Sequence, residues 1–275
     1  MIDIALFLSI ICAIYGLFEF AHYSYLEGYS FFAFNVQDLP ERRIHVTFYN
    51  ANFYATMLEM FIFCALYRSY TLVSKKAKAY YILISFMNLF MLNLSGCRTA
   101  FGAIAFAFLI YFIALGNKKL LHLSWIMFVA CLIIFFLNPN LIPRLDDLGS
   151  IVYRQEIWEG SIKIIKMFPI FGNGPQTYGL LAPSLGLHIA PHAHNMYLDS
   201  LCSYGIVGCI ALIMFVKTMI KDIFTLKVNR SAFALTISVL TIVLVHGIMD
   251  VTYNYVATGC FILMLLNCHK ILEKN

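Results

Sequence analysis

The sequence predicts an all-α polytopic integral membrane protein of about eight transmembrane helices, with one long outer loop that carries an amphipathic helix. Three observations predict it. Of 275 residues, 61% are hydrophobic and only 12% charged, with a mean hydropathy of +0.81. A soluble domain is roughly 45–50% apolar and about 25% charged, so this chain lacks the charge to cover a water-facing surface. The apolar residues fall in runs near the length of a bilayer span, about 20 residues each. Lys and Arg gather in alternate short loops, the pattern that orients a multi-pass protein. Disordered chains, secreted disulfide scaffolds and ordinary cytosolic enzymes are excluded.

The elements follow from the apolar runs, near residues 3–20, 51–68, 79–96, 99–116, 120–138, 196–216, 231–250 and 254–270. The first begins at Met1 without a basic start or a clear cleavage site, so it is expected to be retained. Eight spans use roughly 160 residues and leave about 115, enough for one substantial extramembrane element within a single membrane domain. That element is the 139–195 loop, since loops this long are uncommon and often functional. Arg68, Lys75, Lys76, Lys78, Lys118, Lys119, Lys217, Lys221, Lys227, Arg230, Lys270 and Lys274 mark the cytoplasmic loops, which puts both termini in the cytoplasm. The remaining basic residues, Arg42, Arg43, Arg98, Arg144, Arg154, Lys163 and Lys166, fall on the outer side. The net charge of +5 is therefore mostly an orientation signal.

Within the outer loop, residues 151–167 read as an amphipathic helix stopped by Pro169. Glu156, Glu159, Lys163 and Lys166 share one face, and Ile151, Trp158, Ile162 and Ile165 the other. Arg154 breaks the pattern, lying about 40° from Trp158 and about 20° from Ile165 on the helical wheel, on the apolar face. Such a guanidinium either snorkels, pairs with an acid such as Glu19, Glu27 or Asp199, or faces an anion brought by a ligand. Arg98 sits in a turn of a few residues between two spans, on the side where positive charge is disfavoured. Snorkelling would explain it too, but two outer arginines near the head-group plane fit a lipid phosphate or diphosphate, which Arg grips bidentately.

His188, His192 and His194 fall within seven residues, just before the sixth span. Zinc is one use for such a cluster, but no companion Cys or HExxH pattern supports it, and no metal is expected. Imidazole titrates near neutral pH, so a His at the outer end of a span, with Asn195 beside it, suits general-base work. Glu59 lies near the middle of the second span, where an ionisable group is a functional candidate or else is protonated or paired with Asn88 or Asn93. His246 and Asp250 are one turn apart at the outer end of the seventh span and could line the same cavity or form a structural hydrogen bond. The cysteines lie mostly in apolar spans without metal-like spacing and read as packing residues. No Walker loop, GxGxxG or nucleic-acid-binding pattern is present.

Five segments together resemble the O-antigen ligase and polymerase family of bacterial membrane glycosyltransferases. They are Arg43-Ile-His-Val-Thr-Phe-Tyr-Asn-Ala-Asn-Phe-Tyr-Ala55, Ser95-Gly-Cys-Arg-Thr99, Arg154-Gln-Glu-Ile-Trp158 with Pro169-Ile-Phe-Gly-Asn-Gly174, His194-Asn-Met-Tyr-Leu198, and Gly205-Ile-Val-Gly208. The resemblance implies a GT-C-like fold in a bacterial inner or cell membrane, with the active site on the outer face. It implies transfer of a glycan from an undecaprenyl-diphosphate-linked donor to a glycan, lipid or protein acceptor, without metal or cofactor, in lipopolysaccharide, capsule or other cell-envelope synthesis. By that resemblance Arg98 and Arg154 hold the diphosphate and His194 is the base. Arg43, Trp158, His192, Asn195, His246, Asp250 and Glu59 are secondary candidates. Asp146-Asp147 reads as loop charge rather than a DxD metal motif. The family usually has more spans ahead of Asn50-Ala-Asn52 and often Ser-Arg where this chain has Ser-Gly-Cys-Arg. A short member lacking N-terminal spans is therefore expected: a compact one, a truncated gene product, or one that needs partners in a polysaccharide assembly complex. Competing expectations are a transporter or flippase for an anionic lipid or solute, for which Glu59 would serve, and a non-catalytic subunit of such a complex.

Overall fold

A computed structural model describes residues 1–30, 42–137, 149–225 and 229–267. Arg144, Asp146, Asp147, Lys227, Cys268, Lys270 and Lys274 lie outside the described residues, as does the side chain of Cys131. The described chain is all helical: α1 (Ile2–Leu26), α2 (Ala51–Thr71), α3 (Lys75–Leu94), α4 (Arg98–Leu115), α5 (Lys118–Leu137), α6 (Gly149–Met167), α7 (Thr177–Leu181), α8 (Met196–Thr225), α9 (Arg230–His246) and α10 (Val256–Leu266). A 3-10 turn at Thr252–Asn254 precedes α10. Among these, α1, α3, α4 and α8 are long and apolar enough to cross a membrane, while α9 and α10 are shorter apolar helices.

Local chemistry sets several ends. Asn50 caps α2, its side chain accepting the Asn52 N–H at 2.7 Å, and Asn229 caps α9 by accepting from Ala232 at 3.2 Å. Gly116 ends α4 at φ 70°, the left-handed conformation a glycine adopts without strain. The apolar pattern continues to residue 250, but α9 stops at His246, and residues 247–251 turn across the end of the bundle. Asp250 therefore belongs to a turn and not to a span.

The buried centre is α2, packed by α1, α3, α4 and α9. Helices α4 and α9 approach closely because small residues face each other, Ala100, Ala103 and Ala107 on one and Ala234 and Ser238 on the other. Ser238 Oγ donates across this seam to the Ala107 carbonyl at 3.3 Å. Small residues and hydroxyl bonds are what hold helices together where lipid removes the usual hydrophobic drive. Outward faces of α1, α3 and α8 expose Ile, Leu and Phe, as lipid contact requires.

A second, smaller core joins α6, α7 and α8 through Ile157, Ile164, Tyr178, Ala182 and Cys202. The buried stripe of α6 is Ile157, Gly160, Ser161 and Ile164, while Ile151 and Ile162 are exposed and Trp158 and Ile165 sit at the edge. The apolar face expected from the large side chains is thus rotated. The cause is Gly160, where a Cβ would come within 3.2 Å of the Tyr178 hydroxyl, so the small-residue face is the one that seats α7.

Helix α8 is broken at Gly205, with φ 60° and ψ −167°. The loop Pro169-Ile-Phe-Gly-Asn-Gly174 fills the break. Ile206 and Val207 donate to the carbonyls of Pro169 and Ile170 at 2.9 and 3.0 Å, and Asn173 and Gly174 donate to the carbonyls of Cys202 and Ser203 at 3.2 and 2.9 Å. Four backbone groups released by the kink are satisfied by the loop, which answers the demand that buried backbone be paired. The contact needs two glycines, because a Cβ on Gly205 would lie 2.4 Å from the Ile170 carbonyl oxygen and one on Gly172 would lie 2.4 Å from Ser203 backbone.

Candidate functional site

The N-termini of α2, α4 and α6 converge on a cavity of about 280 Å³. Asn50 and Asn52 come from α2, Cys97, Arg98 and Thr99 from α4, and Ser150, Tyr153, Arg154 and Ile157 from α6. Arg43 enters from the segment before α2, and His194 from the turn before α8. Three helix N-termini, each carrying partial positive charge, and three arginines give this cavity a chemistry that favours an anion. Its volume is at the small end for ligand pockets, which run about 300–1,000 Å³, and suits a head group rather than a whole lipid-linked chain.

Among the described residues, each arginine has neutral acceptors. Arg98 Nη2 donates to Ser150 Oγ at 2.5 Å, and Arg154 Nη1 reaches the Ser150 carbonyl at 3.4 Å, so one serine ties both together. Arg154 Nε donates to the Met249 carbonyl at 3.2 Å. Arg43 donates from Nε to the Ser95 carbonyl at 2.8 Å and from Nη2 to Asn52 Oδ1 at 2.6 Å. The acids that could have paired with Arg154 are engaged elsewhere: Glu19 with Tyr23 and the backbone of His45 and Val46, Glu27 with Arg42, and Asp199 with Ala193 N–H and Asn254.

His194 has φ 46°, left-handed and uncommon for a residue with a side chain. Its neighbours fix it there: its N–H donates to His192 Nδ1 at 3.2 Å, and its carbonyl accepts from Trp158 Nε1 at 3.4 Å. Asn195 caps α8, accepting from the N–H groups of Tyr197 and Leu198, and donates to the Ile248 carbonyl at 2.8 Å. His194 Nδ1 lies 3.3 Å from Asp250 Oδ1, within ion-pair distance though not on the line of a hydrogen bond. His192 Nε2 lies 3.7 Å from the same oxygen, and the two imidazoles meet edge to face at 4.3 Å between centroids.

Asp250 is 3% exposed. Burial alone would raise its carboxyl, but His194, His192 and His246 more than offset it and hold Asp250 well below the usual carboxylate range. For His192, burial pushes the imidazole below its ordinary value, with His194 and Arg154 adding to the effect and Asp250 and Asp199 opposing it. The Asp250 carboxylate also accepts from Val251 N–H at 2.8 Å and from Asn52 Nδ2.

His192, His194 and Asp250 offer three ligand atoms within 4.8 Å of one another, a spacing that could hold a metal ion. The tautomer argues otherwise. His192 Nδ1 accepts the His194 N–H, so Nε2 carries the proton and is a donor toward Asp250, not a free metal ligand.

The remaining candidates separate from the cavity. His188 turns away, pairing with Glu156 at 3.0 Å and lying against Tyr153. Glu59 meets neither Asn88 nor Asn93. Its carboxylate faces His246 Nδ1 at 3.0 and 3.2 Å, with both groups fully buried between α2 and α9. Asn88 instead bonds Ser9 and the Ile84 carbonyl. His246 and Asp250 thus face different surroundings. Asn52 and Ser150 are the site residues that sequence reasoning missed. Asn52 was visible as part of the Asn50-Ala-Asn52 segment, whereas Ser150 carries no local signal.

Residues 83–213, from within α3 to within α8, match the family model described as O-antigen ligase. This segment is similar to the O-antigen ligase family. The matched segment contains Arg98, Arg154, Trp158, His192, His194 and Asn195, as well as both glycine motifs of the α8 kink. Arg43, Asn52, Glu59, His246 and Asp250 lie outside it and complete the cavity or its surroundings from flanking helices. No curated protein matches the sequence.

Proposed function

We propose that this protein transfers or polymerises glycan from an undecaprenyl-diphosphate-linked donor to an acceptor hydroxyl on the outer membrane face. The observation that carries the reading is the single cavity shared by Arg43, Arg98, Arg154 and His194, with Asp250 behind the histidine. The family supports glycan ligation, and the cavity's chemistry supports a diphosphate leaving group.

His194 Nδ1 is turned to the Asp250 carboxylate, so its proton resides there and Nε2 keeps the lone pair. Nε2 takes the proton of the acceptor hydroxyl as the oxygen attacks the anomeric carbon. The bond from that carbon to the diphosphate oxygen breaks, and its electron pair leaves on undecaprenyl diphosphate. Arg98, Arg154 and Arg43, with the N-termini of the three helices, stabilise the growing charge in a partly enclosed cavity. Direct displacement inverts the anomeric centre. The proton on His194 then passes to solvent.

The sidedness rests on the bundle. The cavity lies at the end where α2, α4 and α8 begin and α3 and α9 finish, while Arg68, Lys75, Lys118 and Arg230 lie at the other. Asp3 pairs with Arg68 at 2.7 Å, which brings the chain's start to that basic end. The positive-inside rule then makes the basic end cytoplasmic and the cavity external. Glu59, on which a transport role would rest, is enclosed and paired with His246.

The test is His194→Ala in membranes that supply lipid-linked glycan. Glycan transfer is expected to vanish while purified protein still binds undecaprenyl diphosphate. Transfer at the wild-type rate would reject the reading.

A further inference from the structure

Asn52 joins the anion-binding arginine to the base. Its Oδ1 accepts from Arg43 Nη2 at 2.6 Å, its Nδ2 donates to Asp250 Oδ2, and Asp250 Oδ1 faces His194 Nδ1 at 3.3 Å. The direction of each bond is forced, since a guanidinium can only donate and an ionised carboxylate can only accept. The residue between them must accept on one side and donate on the other with a short, planar side chain. Asparagine meets that demand. Aspartate would set a second carboxylate against Asp250, leucine would pair with neither, and glutamine would carry its amide one methylene too far. The backbone fixes the amide in turn, because Asn50 caps the first turn of α2 through the Asn52 N–H.

Resting on the glycan-transfer reading above, we infer that Asn52 is a positioning residue that holds Asp250, and through it His194, in register with the Arg43 side of the diphosphate site. Arg43 is an element shared by the anion site and the base. A donor diphosphate drawn to Arg43 therefore acts on the same hydrogen-bond chain that sets the tautomer and angle of the His194 ring. Among the described residues, the other titratable groups acting on Asp250 are His192 and, from its place against Glu59, His246, and Arg154 stands beside His192. None of these bonds Asn52.

The experiment is a reciprocal exchange. In Asn52→Asp the bond from Arg43 survives and the donor to Asp250 is lost. In Asp250→Asn the charge behind His194 is lost. In the double variant, the carboxylate now at position 52 can accept both from Arg43 and from the amide now at position 250. The oxygen of that amide is left to accept from His194 Nδ1. Glycan transfer per mole of folded full-length protein is measured in membranes carrying lipid-linked glycan, and undecaprenyl diphosphate binding is measured on the purified proteins. Each single variant is expected to lose about 100-fold in transfer, as removal of an orienting group does, with undecaprenyl diphosphate affinity held within about threefold of wild type in Asp250→Asn and weakened in Asn52→Asp, whose added carboxylate faces the anion site. The double variant is expected to recover about tenfold over either single. Asn52→Leu, which cannot be rescued by Asp250→Asn, serves as a second probe should Asn52→Asp fold poorly.

Costs that simply multiply in the double variant would overturn the inference, as would wild-type transfer by Asn52→Leu. His194→Ala in the same membranes separates the two levels. Activity in His194→Ala removes the glycan-transfer reading itself, whereas an inactive His194→Ala beside fully active Asn52 variants removes only the relay.

Discussion

Replacing Asp250 by asparagine removes one charge and almost no volume, so its effect isolates what the carboxylate does for His194. Asp250 is buried, bonded to Val251 N–H and Asn52, and 3.3 Å from His194 Nδ1. A charged partner whose contact tightens to a hydrogen bond as His194 takes up the proton contributes about 1.5–3 kcal/mol. At about 1.36 kcal/mol per decade of rate, its loss slows transfer about 10- to 150-fold. An amide that turned its NH2 toward His194 would also favour the tautomer with the proton on Nε2, which deepens the loss. The assay compares glycan transferred per folded protein with undecaprenyl diphosphate bound, the first falling and the second holding. Asp250 titrates below the ordinary carboxylate range, so it is ionised throughout pH 5–8 and the deficit should be flat there. The stability it contributes is full above the unfolded value of about 3.9 and is lost only as pH falls through its lower folded value. Transfer by Asp250→Asn within about twofold of wild type at pH 7 would refute the assignment of Asp250 as the group that orients the base.

Arg98→Ala and Arg154→Ala should each weaken undecaprenyl diphosphate binding about 10- to 150-fold, and unchanged affinity in both would remove the diphosphate clamp. His192, held below its ordinary value by burial, binds a proton more readily when the chain unfolds. The stability it contributes is full above about pH 6.5 and falls as pH drops toward its folded value, so thermal unfolding in detergent should show a smaller acid-side loss for His192→Gln. Gly205→Ala forces a side chain into a conformation that costs about 1–3 kcal/mol even before the overlap with Ile170, and a lowered melting temperature and poor recovery of folded protein are expected. Glu59→Leu or His246→Leu leaves a buried charge without its partner, at a cost of about 3–5 kcal/mol, whereas the double substitution should cost less than the sum, read again by thermal unfolding.

How much of this was legible in the sequence depends on the range of the interaction. Arg98 and Arg154 could be singled out because charge is scarce in this chain and theirs fall in a short turn between spans and on an apolar helix face, and His194 because it is an imidazole at the end of an apolar run beside Asn195. Their convergence on one cavity required the helices to be folded. Asp250 and His246 look like partners one turn apart, yet α9 ends between them. One turns to Asn52 and His194, the other to Glu59, across separations of up to 198 residues that no local pattern encodes. The histidine cluster divides for the same reason, His188 joining Glu156 on α6. On α6 itself, a helical wheel weighs large apolar residues, while the packing face was chosen by Gly160 and Ser161.

The break at Gly205 also divides α8 mechanically. The turns that follow His194 are braced by the 169–174 loop and the α6–α7 core, whereas the far end of the helix packs into the main bundle core through Met219 and Ile223. A continuous helix would act as a lever, passing any tilt imposed by membrane thickness straight to His194. Here the loop lies at the joint between the two halves of the helix, so the geometry around His194 is set by the α6–α7 core rather than by the tilt of the far half.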